Sequence, residues 1–173
     1  QITGEIPGAT IEIEHDNAGD QDLIDGTDLP STATADDDGS FSIDEVPTGS
    51  VSLTATKDGF KKNSTTVTVT ANSPTTVDPN LNEILTTADG YVTNTDGDGI
   101  RDADVSITDV DSGIWGTLSD TTNASGYYEI EHVPGNEGGT TRTITADAQN
   151  FEQNQEPVRI SKSDVSQDIT LSH

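Results

Sequence analysis

A chain of 173 residues with 32 Asp and Glu against 7 Lys and Arg carries a formal net charge of −25, and only 29% of it is hydrophobic and 4% aromatic. Such a surface excludes nucleic acid and anionic membranes as partners, because phosphate binding needs Lys and Arg, and the lack of Cys excludes disulfides and thiolate chemistry. No apolar run approaches the roughly 20 residues of a membrane span, and the chain opens at Gln1 and contains no Met, as expected of a segment processed or excised from something longer.

Low hydrophobicity with high net charge ordinarily signals disorder. Here the few apolar residues instead fall at every second position in short runs, the period of a half-buried strand. In chain order the expected strands are Ile2–Ile6, Ala9–His15, Thr32–Ala35, Ser40–Glu45, Val51–Thr56, Thr65–Thr70 and Thr76–Leu81. A second set follows at Thr87–Val92, Ala103–Asp109, Gly116–Thr122, Tyr127–His132, Arg142–Asp147, Val158–Ser161 and Asp168–Ser172. Thr, Val and Ile fill these runs, and Gly, Asp, Asn and Pro punctuate them. The acidic stretch from His15 to Asp28 reads as a long solvated loop. No segment shows a helical period. The pattern predicts an all-β protein of two tandem Ig-like/transthyretin-like seven-stranded β-sandwiches, each closing one small core of Ile, Val, Leu and Phe.

An internal repeat supports the division. Asp38-Gly39-Ser40-Phe41-Ser42-Ile43-Asp44-Glu45-Val46-Pro47 returns as Ser125-Gly126-Tyr127-Tyr128-Glu129-Ile130-Glu131-His132-Val133-Pro134. Gly8-Ala9-Thr10-Ile11-Glu12-Ile13 pairs with Asp102-Ala103-Asp104-Val105-Ser106-Ile107. Thr54-Ala55 and Gly59-Phe60 pair with Thr145-Ala146 and Asn150-Phe151, and Val67-Thr68-Val69 and Leu81 pair with Val158-Arg159-Ile160 and Leu171. The blocks keep their order, so the chain is a duplication, with modules at residues 1–84 and 85–173 and a joint near Glu83 to Thr87.

At Gly39-Ser40-Phe41-Ser42-Ile43-Asp44-Glu45-Val46-Pro47-Thr48-Gly49, then Val51 to Ala55 and Gly59-Phe60, the sequence resembles the carboxypeptidase-regulatory-like group. Gly126, Tyr128, Ile130, Val133-Pro134-Gly135 and Asn150-Phe151 carry the likeness into the second half. The resemblance implies a transthyretin-like sandwich related to Cna-B-type surface repeats. It also implies an accessory or structural role as stalk, spacer or adhesive unit. Some Cna-B relatives form Lys–Asn isopeptide links from an early-strand Lys. Neither Ile2–Ile6 nor Thr87–Val92 contains Lys, so that chemistry is not expected here.

The charge points to a setting. A small domain with this much charge of one sign repels itself, and at about 1 M ionic strength the screening length falls to roughly 3 Å. An excess of Asp over Lys is therefore expected of a protein from molar salt.

The sharpest local signal is Asn94-Thr95-Asp96-Gly97-Asp98-Gly99-Ile100-Arg101-Asp102. Alternating oxygen side chains before a turn glycine can wrap a hard cation such as Ca²⁺. Asn94, Asp96, Asp98 and Asp102 would supply side-chain oxygens and Ile100 a backbone carbonyl. Val105 stands where an EF-hand has its bidentate Glu. The other reading is an acidic turn in an acidic protein, inserted relative to the first module. Asn63-Ser64-Thr65 and Asn123-Ala124-Ser125 fit the N-glycosylation pattern.

The remaining chemistry is sparse. His15 and His132 align with the acids Asp109 and Glu45, and His173 is terminal, so they assemble no metal or catalytic site. No nucleophile elbow surrounds any Ser, and carboxylate pairs suited to glycoside hydrolysis arise by accident among this many acids. No enzymatic activity is expected. Lys57, Lys61 and Lys62, three of only four Lys, either mark a contact with an acidic neighbour or are simply surface lysines. Trp115, the one Trp, either seals the second core or stands exposed to bind.

These readings converge on a non-enzymatic extracellular spacer, stalk or adhesion unit, displayed on a halophilic archaeal cell or on a virion infecting one. Its expected partners are protein neighbours in that assembly, further copies of itself included. The rivals are an accessory domain of a secreted hydrolase and a receptor- or carbohydrate-binding module.

Overall fold

The structure is a computed structural model that describes residues 2–5, 7–15 and 32–173. The expected acidic loop lies beyond His15, outside the described residues. The chain divides into two compact units, Gln1–Asn82 and Glu83–His173.

The first unit holds β1 (Ile2–Glu5), β2 (Thr10–His15), β3 (Thr32–Thr34), β4 (Ser40–Ile43), β5 (Gly49–Thr56), β6 (Phe60–Lys61), β7 (Asn63–Val69) and β8 (Thr75–Thr76). After β9 (Asn82–Glu83) come β10 (Leu85–Asn94), β11 (Asp104–Thr108), a one-turn helix α1 (Ser112–Trp115) and β12 (Leu118–Thr121). The second unit closes with β13 (Tyr127–Pro134), β14 (Thr140–Asp147), β15 (Asn154–Ile160), β16 (Val165–Ser166) and β17 (Ile169–Leu171).

Both units use one topology. In the first, β1 lies between β4, antiparallel with Ile2 opposite Ile43, and β8, parallel with Thr3 opposite Thr76. In the second, β10 lies between antiparallel β13 and the parallel β16 and β17, with Val92 opposite Ile169. The other sheet is ordered β3-β2-β5-β7 in one unit and β12-β11-β14-β15 in the other. The repeat seen in sequence is thus a repeat of fold, and each unit is a two-sheet sandwich.

Strict alternation drives this arrangement. Along β5, Val51, Leu53 and Ala55 are fully buried; along β14, so are Ile144 and Ala146. Val51, Leu53 and Ala55 with Ile11, Ile13, Phe41, Ile43 and Val69 form the first core, while Ile144 and Ala146 join Val92, Val105, Ile107, Tyr128, Ile130, Val158, Ile160, Ile169 and Leu171 in the second. Each fully buried aliphatic side chain contributes about 1.5–3 kcal/mol.

Neighbouring strands of one sheet approach closely at Gly90 of β10, beside Tyr128 of β13 and Gln167 between β16 and β17. A Cβ there would stand 2.0 Å from the Gln167 carbonyl oxygen, the same oxygen that accepts the Tyr128 hydroxyl at 2.5 Å. Only glycine leaves room for that knot.

The structure departs from the expected elements in several places. Of the expected strand Thr76–Leu81 only Thr76 is in a strand, β8 (Thr75–Thr76), and the short strands β6, β9 and β16 were not expected. Ser112–Trp115 is a helical turn capped by Asp111, whose side chain accepts the Gly113 amide at 3.0 Å. One turn is too short to show a period. β15 begins at Asn154 rather than Val158, because Pro157 sits within the ladder opposite Thr143 instead of ending it.

Candidate functional site

The loop with the cation-like spacing is a hydrogen-bonded hairpin tip. Asn94 Oδ1 accepts the backbone amides of Asp96 and Asp98 at 3.0 and 2.8 Å and so shapes the turn. The Asn94 amide donates to the Asp98 carbonyl at 2.9 Å, and the Gly97 amide to the Asn94 carbonyl at 3.0 Å. Gly97, at φ 86°, supplies the left-handed residue that the tip needs.

Ile100 and Asp102 face other duties. The Ile100 carbonyl accepts the Thr122 hydroxyl at 2.7 Å, and its side chain is buried in the core. Asp102 sits at φ 57° and pairs with Arg101 Nε at 3.3 Å, both side chains largely exposed. Its counterpart in the first unit is Gly8, at φ 60°. The turn therefore demands a left-handed residue in both repeats, and Asp is among the few types that tolerate it. The side chains of Asp96 and Asp98 are exposed. Among the described residues, no group of three or more His, Asp or Glu is placed to hold a metal ion.

The two sequon asparagines differ. Asn63 donates its Nδ2 to the Asn80 carbonyl at 2.7 Å. Its repeat counterpart Asn154, which is not in a sequon, donates to the Thr170 carbonyl at 3.0 Å. Asn123 works through its oxygen, accepting the Ser125 amide at 2.9 Å, the Ser125 hydroxyl at 2.7 Å and the Tyr127 amide at 3.2 Å. Its nitrogen takes no part in those three bonds, and the residue is exposed.

The lysines separate too. Lys57 donates to the Pro7 carbonyl and lies 5.6 Å from the centre of the Phe60 ring, so it staples two turns. Lys61 and Lys62 are exposed. Trp115 ends the helical turn half-buried and does not join the core cluster. His132 is exposed at φ 59°, matching Glu45 at φ 57° in the first unit, and His173 stacks on Phe151 with ring centres 4.3 Å apart.

One surface feature escaped sequence reading. Tyr91 and Tyr127 stand directly opposite on the outer face of β10 and β13, rings 5.4 Å apart, with Asp89 opposite Glu129 beside them. Tyr127 donates to Glu129 Oε2 at 2.6 Å. That hydrogen bond, with some desolvation and the nearby negative charge, pushes its hydroxyl up to about 12. Their phase, one residue off the buried Tyr128, was the available signal. In the first unit an open groove of about 310 Å³ runs between Glu45, Val46, Val69, Asn72 and Pro74.

Fold and surface together define a tandem β-sandwich protein. Its sequence matches the carboxypeptidase regulatory-like domain over residues 2–82 and again over 87–172. The chain belongs to that family, in two consecutive copies. No curated protein matches it. Among solved structures it is similar to the Bacillus anthracis TIE protein, at 12% identity and a TM-score of 0.48, covering 99% of this chain and 33% of that one. A streptococcal ancillary pilin gives 11% identity and a TM-score of 0.48, covering 99% and 61%. GBS52, the minor pilin of Streptococcus agalactiae, gives 12% and 0.46, covering 98% and 84%. The chain thus spans a third of the first of these and less than two thirds of the second. Among the described residues no helix is long and apolar enough to cross a membrane.

Proposed function

We propose that this chain is a non-enzymatic spacer and display segment of an extracellular surface protein, working in molar salt on a halophilic archaeal cell or on a virion infecting one. One observation carries the reading: two family modules stand in tandem, and their distinctive polar residues are used for the fold. The side chains of Asn94, Asn63 and Asn123 hold turns or strands in place. A net charge of −25 on such small cores fits a medium that screens it.

The test is location. Antibody raised against this chain, applied in molar salt to intact source cells and to virus particles grown on them, should decorate the exterior. Labelling that appears only after lysis would defeat the proposal.

A further inference from the structure

Asn123, Ala124 and Ser125 form the exposed tip of the hairpin from β12 to β13. Backbone bonds close this tip, from the Asn123 amide to the Tyr127 carbonyl and from the Gly126 amide to the Asn123 carbonyl, both 2.9 Å. The first unit closes its hairpin from β3 to β4 with the same two bonds. There the Asp36 amide meets the Ser40 carbonyl at 2.9 Å and the Gly39 amide meets the Asp36 carbonyl at 2.8 Å. Asp36 thus stands where Asn123 does, and an aspartate has no side-chain nitrogen. The turn is built without that atom in one unit, so the Asn123 nitrogen is surplus to the fold.

The partners of the oxygen also aim the nitrogen. Asn123 Oδ1 accepts the Ser125 and Tyr127 amides at 2.9 and 3.2 Å; an NH2 group could accept neither, which identifies the two branches of the side chain. With the oxygen turned toward the hairpin backbone, Nδ2 sits on the branch turned away from it. The Ser125 hydroxyl donates to the same oxygen at 2.7 Å, so the asparagine and hydroxyl that a sequon must offer together already touch.

That arrangement suits the chemistry. An asparagine nitrogen is a weak nucleophile because its lone pair is delocalised into the carbonyl. When it gives up a proton to attack, negative charge collects on the amide oxygen. Two amides and a hydroxyl already surround that oxygen and would stabilise the charge as it forms. Asn63 is placed otherwise. It is half-buried, it begins the paired strand β7 opposite Ala55, and its nitrogen is the atom bonded to Asn80.

We propose that Asn123 is a glycosylation site and that Asn63 is not. The co-substrate is an oligosaccharide joined through C1 to a lipid phosphate or pyrophosphate. Asn123 Nδ2 bonds to the sugar C1 as the bond from C1 to the phosphate oxygen breaks. The lipid phosphate leaves with that electron pair, and the amide proton passes to a base of the transferase. The site rests on the extracellular reading above, because sequons are modified on secreted chains.

Trypsin separates the two sequons, since it cuts only after Lys and Arg: residues 63–101 carry Asn63 and residues 102–142 carry Asn123. Protein isolated from source cells or virus particles is digested, and electron-transfer fragmentation locates any sugar mass. One oligosaccharide is expected on Asn123, with Asn63 bare. Asn123→Asp, expressed in the same host, keeps the turn oxygen as Asp36 does; it should show native circular dichroism and lose the sugar completely. Ser125→Ala should lose it too, and Ser125→Thr should retain it. A bare Asn123 in the wild type overturns the proposal, and where the antibody still labels the exterior the spacer reading survives that failure. Sugar on Asn63, or sugar that persists on 102–142 in Asn123→Asp, also overturns it.

Discussion

Asn63 and Asn80 are tied by a 2.7 Å bond from side-chain amide to backbone carbonyl, and Asn154 and Thr170 repeat that tie in the second unit at 3.0 Å. The duplication has preserved a clasp between the edge strand and the end of the chain segment that closes each unit. The Asn63 sequon therefore coincides with a structural asparagine.

Removing the clasp should cost about 1 kcal/mol in each unit. Trp115 and the tyrosines at 91, 127 and 128 all lie in the second unit, so their fluorescence reports that unit. In denaturant titrations, Asn154→Ala should shift the fluorescence transition and Asn63→Ala should shift only the far-ultraviolet dichroism. A shift of fluorescence by Asn63→Ala alone would contradict this.

Gly90→Ala is expected to be among the costliest single changes in the second unit. The new methyl would have to displace the backbone of Gln167 and the Tyr128 hydroxyl together, at about 3 kcal/mol. Tyr128→Phe, which loses the bond but keeps the ring, should cost only about 1 kcal/mol. Equal losses from both substitutions would show that the close approach is not the constraint.

Alkaline pH should loosen the second unit. Burial raises the Tyr128 hydroxyl, and the bond to Glu129 raises that of Tyr127 to about 12. Both pKa values are higher folded than unfolded, so the folded unit holds these protons more tightly. The associated stability is complete below about pH 10 and is lost as pH climbs through about 12. Tyrosinate absorbance should lag behind that of the denatured chain and rise together with unfolding. Titration at the ordinary value with the fold intact would refute it.

The 94–102 loop offers a direct contrast between ion and turn. Its hydrogen bonds predict that Asn94→Ala lowers stability by about 1 kcal/mol with or without Ca²⁺. Calorimetry in molar KCl should show no Ca²⁺ heat that depends on Asp96 or Asp98. Heat abolished by Asp96→Ala or Asp98→Ala would decide for the cation reading instead.

Salt is the broadest test. Melting temperature should climb by about 10 °C or more from 0.1 to 2 M KCl as repulsion is screened, and an uncharged osmolyte should not reproduce the full gain. A fold indifferent to KCl would remove the halophilic setting.

Much of this was legible in the sequence because strands write themselves as alternation. Val51, Leu53 and Ala55, or Ile144 and Ala146, can be assigned to a core without coordinates. The direction in which strands pair left no such trace: nothing in Asp168 to Ser172 announces that Ile169–Leu171 runs parallel to β10. The expected strand began only after Pro157, because a proline's place at an edge depends on which strand lies beside it. The acids at 96, 98 and 102 suggested a ligand set because spacing is visible in sequence. That the Asn94 oxygen accepts two amides of its own turn is visible only in the fold. Asp102 shows the limit best, since its left-handed backbone is intelligible only beside Gly8.

The parallel neighbours of β1 and β10 bear on how such a unit carries tension. The opening and closing strands of each unit run the same way, so the polypeptide goes in at one pole and comes out at the other. A pull on the two ends then acts along the strands, and the contacts between Val92 and Ile169, Thr93 and Thr170, and Asn94 and Leu171 are strained in shear all at once rather than peeled apart one by one. A tether built this way yields late.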